Sequence, residues 1–139
     1  MSFGTVLVVD DDRAISQLLA MTLEDAGYTV LRACHGEEAL ERLAESSADA
    51  IVLDLAMPVM DGETFYRHLR AHEREEVRNI PVLIVSAVGA SRARQELGAE
   101  GAMEKPVDPD DLVDELGHLL RLHRTHTASR VRAENVPAG

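Results

Sequence analysis

The sequence predicts an α/β fold built on one open, five-stranded parallel sheet with helices on both faces. Three observations predict it. The chain has 139 residues, enough for one domain with a buried core; short apolar segments rich in β-branched residues recur along it; and segments with helical periodicity lie between them. Strands that are apolar almost without alternation are typical of a parallel sheet covered on both faces. Repeated strand–helix units favour right-handed crossovers.

Five segments are predicted to be strands. Four are strongly apolar, whereas the fifth is weaker and must lie between Gly98 and Lys105. The predicted strands cover residues 5–10, 28–33, 50–54, 81–86 and, roughly, 101–104.

The segments between the strands are predicted to be helices. Asp12 can cap the first helix, which Gly27 ends. The expected apolar face of this helix consists of Ile15, Leu18, Leu19 and Thr22. Shorter helices are predicted for residues 37–44 and 63–71, and another within 89–101.

The last helix has the clearest signals. Asp108 suits the N-cap and Pro109 suits the first turn. Its expected apolar stripe consists of Leu112, Val113, Leu116, Leu119 and Leu120. After that stripe the pattern dissolves, so we predict a domain over residues 1–123 and a disordered tail over residues 124–139.

Charge and hydropathy exclude several functions. The net charge is −11; residues 124–139 contain three arginines and one glutamate, or +2, which leaves −13 on residues 1–123. This balance argues against direct binding of nucleic acid, which needs a basic surface. No apolar run approaches the roughly 18 residues of a membrane span, and the chain does not begin like a signal peptide. We therefore expect a cytoplasmic protein without a membrane partner.

Polar residues appear where the predicted strands end: Asp10, Asp11, Asp54, Ser86 and Lys105. In a parallel sheet these ends share one edge, so the five side chains should converge. Carboxylates crowded to 4 Å repel by about 4 kcal/mol per pair near a protein surface, and therefore need cations. Oxygen ligands suit Mg²⁺, and the lone lysine of the chain supplies a second positive charge. A carboxylate beside a metal ion, a lysine and a hydroxyl suits phosphoryl transfer.

Four short motifs resemble those of a known family. They are LVVDDDRAI at 7–15, IVLDLAMPVMDG at 51–62, VSA at 85–87 and EKP at 104–106. In these motifs the chain is similar to the receiver domains of bacterial response regulators, the chemotaxis-regulator-like superfamily of two-component systems. The resemblance covers roughly residues 5–122. It implies a single-domain receiver with a doubly wound, flavodoxin-like (βα)5 sandwich and strand order 2-1-3-4-5.

The resemblance implies an aspartyl phosphorylation site at Asp54 and an acidic metal pocket. In the family's pattern Asp11 ligates Mg²⁺ directly and Asp10 acts through water. Asp54 gives one carboxylate oxygen, and the carbonyl of Ala56 completes the protein ligands. Mn²⁺ is the alternative ion.

The resemblance also assigns the remaining site residues. Ser86 matches the hydroxyl that bonds the phosphoryl group, and Ala87 follows it in the switch loop. Lys105 matches the lysine that contacts the acceptor and then the phosphoryl oxygens, and the bond before Pro106 is expected to be cis.

The loop after the acceptor has its own expected roles. Asp61 and Gly62 are expected to shape this loop rather than to touch the metal ion. Met57 and Pro58 are expected to pack it.

Two features depart from the family. Ala102 stands where the family has Tyr or Phe, the ring that turns inward during switching. The 19 positions from Ser86 to Lys105 are also about one helical turn fewer than usual. We therefore expect the signal to leave through a remodelled or different surface.

The sequence favours a phosphoryl-accepting switch rather than an enzyme with a separate substrate. Its expected partners are a sensor histidine kinase or a histidine phosphotransfer protein, and a downstream protein effector. A phosphorylation-independent interaction module on the same fold is the alternative, which the two departures favour. A flavin or nucleotide binder is a third interpretation, but DDDRA after the first strand replaces the glycine-rich phosphate loop that it would need.

Overall fold

The computed structural model describes residues 2–56 and 60–134, with side chains as far as His123. Within these ranges five strands alternate with helices. The strands are β1 (Thr5–Val9), β2 (Thr29–Ala33), β3 (Ala50–Leu53), β4 (Val82–Ser86) and β5 (Gly101–Glu104). All pairings are parallel and the order is β2-β1-β3-β4-β5, which confirms the predicted fold and strand order.

Six helices are present in the described ranges. They are α1 (Arg13–Asp25), α2 (Gly36–Glu45), α3 (Gly62–Arg70), α4 (Glu75–Arg78), α5 (Ala90–Leu97) and α6 (Pro109–Glu134). The sequence did not predict α4. It is a single four-residue turn in a highly charged segment, where Val77 is the buried residue, so it leaves no helical periodicity to detect.

The sheet separates two apolar cores. On one face, residues such as Leu7 and Ile51 pack with α2, α3 and α5. On the other face, Val8 and Val52 pack with α1 and α6. Because successive side chains of a strand point to opposite faces, a continuous apolar run contributes to both cores. This explains why the strands show little polar alternation.

The predicted apolar face of α1 was partly wrong. Leu18 is 57% exposed, whereas the residues buried along α1 are Ser16, Leu19, Ala20 and Leu23. Leu18 and Leu19 are neighbours in sequence and therefore lie about 100° apart around the helix, so they cannot share one narrow stripe. Ser16 tolerates burial because its hydroxyl accepts a hydrogen bond from Nε of Arg32 at 2.9 Å.

Helix α6 is longer than the sequence predicted. The expected stripe is largely confirmed, since Leu112, Leu116, Leu119 and Leu120 are buried and Val113 is half-buried. Residues 124–139 were expected to be a disordered tail, whereas the helical backbone continues to Glu134. Residues 118–134 contain no glycine or proline, so nothing in the sequence ends the helix there. Residues 135–139 lie outside the described ranges. Within the described ranges, each helix is too short or too polar to cross a membrane.

Candidate functional site

The carboxyl ends of four strands bring the predicted site residues to one edge of the sheet. Asp10 and Asp11 follow β1, Asp54 follows β3, Ser86 ends β4 and Lys105 follows β5. Backbone hydrogen bonds fix the two halves of this edge. The N–H of Asp54 donates to the last carbonyl of β1 at 2.9 Å, and that of Lys105 donates to the carbonyl of Ser86 at 2.9 Å.

Three carboxylates at this edge could hold a metal ion. Asp10, Asp11 and Asp54 each offer an oxygen, and these oxygens lie within 4.8 Å of one another. Asp10 and Asp54 are only 3% and 6% exposed, whereas Asp11 is open to solvent. An all-oxygen cluster with one open side suits a hard divalent cation that keeps part of its water shell. Ala56 is exposed at the mouth of the site, and its carbonyl ligand role stays a prediction.

Lys105 lies between the two buried carboxylates. Its Nζ is 2.8 Å from Oδ2 of Asp10 and 3.8 Å from Oδ2 of Asp54. The other oxygen of Asp10 accepts the backbone N–H of Asp12 at 2.9 Å. The sequence did not reveal the closer contact with Asp10, because β1 and β5 are not neighbours in the sheet and the separation of their ends is a tertiary property. The bond between Lys105 and Pro106 is cis, as expected.

The electrostatics around Asp54 favour binding of a cation. Burial raises the pKa of Asp54 above its ordinary value, and the negative charge of Asp10 raises it further. The charge of Lys105 and the N–H of Ala56, which lies 3.4 Å from Oδ1, lower it in part. One lysine therefore does not balance this cluster, and a divalent ion would favour the ionised carboxylate.

The loop after Asp54 is shaped by a tight backbone contact. The N–H of Gly62 donates to the carbonyl of Leu55 at 2.9 Å. A Cβ atom at Gly62 would lie 2.6 Å from the carbonyl oxygen of Asp54 and 2.5 Å from Cα of Leu55, closer than atoms can approach. Asp61 caps α3, since its Oδ1 accepts the N–H of Thr64 at 2.8 Å, and this bond lowers the pKa of Asp61.

Both residues thus contribute to the course of the chain after Asp54, in line with the prediction for Asp61 and Gly62. Met57 and Pro58, which were expected to pack the same loop, lie outside the described residues.

Substitution of Gly62 by Ala should displace Asp54, the predicted phosphoryl acceptor. The added methyl group must push the backbone at Asp54, so we expect the rate of phosphoryl incorporation to fall by about tenfold to a hundredfold. Labelling with acetyl phosphate and Mg²⁺ measures that rate. Gly117→Ala is the matched control, because a Cβ there first meets the flexible end of Arg121. An unchanged rate in Gly62→Ala would contradict the positioning role.

Few polar groups surround the hydroxyl of Ser86 at the end of β4. Ser86 is 5% exposed, while the following residues Ala87 and Val88 are open to solvent. Ala102, in the middle of β5, is half-buried and packs against the core that contains α5. The methyl group of Ala102 stands in the place of the larger ring that the family pattern has there.

Comparisons with known proteins agree with this geometry. A family profile described as the response regulator receiver domain matches residues 6–117. The DNA-binding dual master transcriptional regulator RpaA of Synechocystis sp. is 36% identical over 119 residues, which are 84% of this chain and 48% of that protein. The response regulator MprA of Mycobacterium ulcerans is 39% identical over 119 residues, which are 84% of this chain and 50% of that protein. The chain thus spans about half the length of the curated relatives it matches.

Solved structures show the same fold and family. A putative response regulator from Chloroflexus aurantiacus has a TM-score of 0.77 and 34% identity, covering 85% of this chain and 98% of that one. The chemotaxis response regulator CheY4 of Vibrio cholerae has a TM-score of 0.75 and 34% identity, covering 86% and 98%. Together with the profile match over most of the sequence, these similarities show that the chain belongs to the receiver domain family of two-component response regulators.

Proposed function

We propose that this receiver domain accepts a phosphoryl group on Asp54 in a Mg²⁺-dependent reaction, and that the modification changes its binding to a partner protein. One observation carries the proposal. The carboxylate of Asp54 is buried beside two further carboxylates and 3.8 Å from the only lysine of the chain. That arrangement supplies a nucleophile, one positive charge and a set of oxygen ligands for the metal ion that phosphoryl transfer needs.

The donor set fits a magnesium ion. Asp11 and Asp54 would bind it through carboxylate oxygens, Asp10 through water, and Ala56 through its carbonyl. The three carboxylates are hard oxygen donors within 4.8 Å of one another, and burial together with the negative charge of Asp10 raises the pKa of Asp54. When bound, the ion neutralises charge on the phosphoryl oxygens. Mn²⁺ could replace it, since it accepts the same ligands.

The transfer step follows from the positions of the protein groups. An Asp54 oxygen attacks phosphorus in line, the bond from phosphorus to the donor's histidine nitrogen breaks, and its electron pair stays on that nitrogen. The ammonium group of Lys105 moves away from Asp10 and stabilises the equatorial phosphoryl oxygens. The Ser86 hydroxyl donates to one of these oxygens. The product is an aspartyl phosphate, and the chain acts only on itself.

The partners follow from the same chemistry. A phosphohistidine donor means a sensor histidine kinase or a histidine phosphotransfer protein, and the switch needs a downstream protein effector. We propose no direct contact of this domain with nucleic acid, because the net charge of the whole chain is −11.

A phosphorylation-independent interaction module is the second candidate. Ala102 and the short α5 favour it. In the family pattern an aromatic ring at the position of Ala102 turns inward during switching, and the segment that contains α5 is about one helical turn longer. Against it stands the arrangement of Lys105 between two buried carboxylates, which an interaction surface does not require.

Metal-dependent labelling distinguishes the two candidates. With acetyl phosphate and Mg²⁺, intact mass spectrometry should show the gain of one phosphoryl group, and chelation of the metal should prevent it. A chain that binds no Mg²⁺ and gains no mass would instead be an interaction module.

The aspartyl phosphate should hydrolyse slowly. Ala56 and Val88, two positions after the acceptor and the hydroxyl, have no polar group that could orient an attacking water. We expect a half-life of minutes or longer after removal of the donor, followed by loss of the phosphoryl mass. Val88→Asn should shorten it, whereas Leu18→Asn, at an exposed position on α1, should not. A half-life of seconds in the unmodified chain would contradict this expectation.

A further inference from the structure

Met60 lies in the loop between Asp54 and α3, and its sulfur packs against the first residue of α2. A Cβ atom at Gly36 would lie 2.9 Å from Sδ of Met60 and 3.0 Å from its Cγ, so the thioether fills the space that any larger residue would need. Met60 is half-buried against the core that contains α2, α3 and α5. The contact is therefore apolar and close, while part of the side chain is open to solvent.

Helix α2, on one side of this sulfur, is fixed in place. Ala39 and Leu43 are buried along it. In its first turn, Nδ1 of His35 accepts the N–H of Glu38 at 3.1 Å and so caps the helix. The end of α2 that meets Met60 is therefore held by both packing and hydrogen bonding.

Helix α3, on the other side, is fixed at its far end. Phe65 is fully buried next to Gly36. Nη2 of Arg70 donates to both carboxylate oxygens of Glu100 at 2.9 Å, and one of these oxygens also accepts the N–H of Val82 at 2.7 Å. Arg70 donates further to Tyr66, Arg78 and Ile80. Because both helices are held, a change at Met60 displaces the loop rather than the helices.

The loop that carries Met60 begins at the candidate site. Leu55 and Ala56 follow Asp54 directly, and the loop closes where the N–H of Gly62 donates to the carbonyl of Leu55 at 2.9 Å. The backbone nitrogen of Ala56 lies 3.4 Å from Oδ1 of Asp54. A displacement of the loop at Met60 therefore reaches the carbonyl of Ala56 and the carboxylate of Asp54.

We propose that Met60 is an oxidation site through which hydrogen peroxide reversibly lowers the acceptance of a phosphoryl group by Asp54. The effect on phosphorylation rests on the proposed function. The thioether sulfur attacks one oxygen of the peroxide, and the O–O bond breaks. The sulfur keeps that oxygen as a sulfoxide, and the proton of that oxygen passes to the departing hydroxide, which leaves as water.

The sulfoxide is polar and does not keep the contact that the thioether makes. Its oxygen would have to enter the apolar core next to Phe65, so the side chain turns towards water. The loop then loses its attachment to α2 and α3. A methionine sulfoxide reductase with a dithiol reverses the change: the oxygen leaves as water and the dithiol becomes a disulfide.

Treatment with hydrogen peroxide, followed by labelling with acetyl phosphate at limiting Mg²⁺, tests the proposal. Once peptide mass mapping shows that Met60 is oxidised, we expect labelling to slow by about tenfold, and the reductase should restore it. Met60→Leu, which keeps an apolar side chain of similar size, should lose this sensitivity. Met21→Leu, at a position on α1 that is 54% exposed, should keep it. Sensitivity that persists in Met60→Leu, or that a thiol alone reverses as expected for Cys34, would overturn the proposal.

A polar substitution should imitate the sulfoxide without any oxidant. Met60→Gln places an oxygen and a nitrogen where the thioether packs, so labelling should slow by about tenfold. Met21→Gln is the matched control and should be labelled like the unmodified chain. Equal labelling of Met60→Gln and Met21→Gln would count against the role of the apolar contact.

Amide hydrogen exchange separates this proposal from the proposed function. Oxidation should speed exchange of the Gly62 amide by about tenfold in the unmodified chain but not in Met60→Leu, while the amide of Val82 should not respond. If oxidation of Met60 changes neither labelling nor exchange, the proposal is wrong and the proposed function stands. If the chain takes no label, the proposed function and the effect on phosphorylation fail together, and exchange at Gly62 still decides whether oxidation releases the loop.

Discussion

Asp54→Asn should take up no phosphoryl group from acetyl phosphate while keeping its fold. The amide has the shape of the carboxylate but cannot attack phosphorus, and it weakens the metal pocket of Asp10 and Asp11. Intact mass spectrometry with Mg²⁺ measures the incorporation. Asp25→Asn, an exposed change of equal charge at the end of α1, should be labelled like the unmodified chain.

The same substitution also tests how the raised pKa of Asp54 affects the stability of the fold. Because the pKa of Asp54 is raised in the folded state, the folded chain disfavours the ionised form relative to the unfolded chain. The stabilising influence of Asp54 is therefore present at low pH and is lost as the pH rises through its folded pKa. Without metal at neutral pH, Asp54→Asn should be at least as stable as the parent in thermal denaturation. Labelling of the variant would place the acceptor elsewhere, and marked destabilisation would contradict the electrostatic account.

Removal of the Lys105 charge should have the second large effect. Lys105→Met leaves Asp10 buried without its partner at 2.8 Å, and leaves the phosphoryl oxygens without an ammonium group. We expect phosphoryl incorporation to slow by about a hundredfold or more. The free energy of unfolding should also fall, by up to about 3 kcal/mol, and Mg²⁺ should restore part of it.

Lys105→Arg separates charge from shape. A planar guanidinium keeps the charge but cannot occupy the position of a compact ammonium between two carboxylates. We therefore expect labelling to persist at a reduced rate while switching, measured as a change in effector binding, is impaired. Arg67→Lys, an exposed change on α3 that keeps its charge, is the control. Full switching in Lys105→Arg would show that charge alone suffices.

Local patterns in the sequence were enough to predict the sheet and its reactive edge. Each strand is apolar until a polar residue ends it, and parallel topology brings those ends together. The register that sets Asp10 beside Asp54 follows from the same regularity, whereas the role of Gly62 was implied only by the resemblance of the motif at 51–62 to the family pattern.

The remaining features depend on information that residue patterns do not contain. The contact of Lys105 with Asp10 depends on the distance between the ends of two strands that are not neighbours. The burial of Leu19 rather than Leu18 depends on which stripe of α1 meets the sheet. Likewise, the sequence shows Gly89 and Gly98 but does not show that both adopt positive φ.

The hydrogen bonds of Arg70 have a consequence for how such a domain can diversify. They join α3, the start of β4 and the approach to β5 at the edge of the sheet opposite Asp54. The hydrogen bonds that hold the framework together lie at one end of the strands, and the proposed phosphorylation site lies at the other end. Mutations that retune α5 or the loops near Asp54 for a new signalling partner therefore need not disturb the framework, so paralogues could diverge in specificity without first losing their fold.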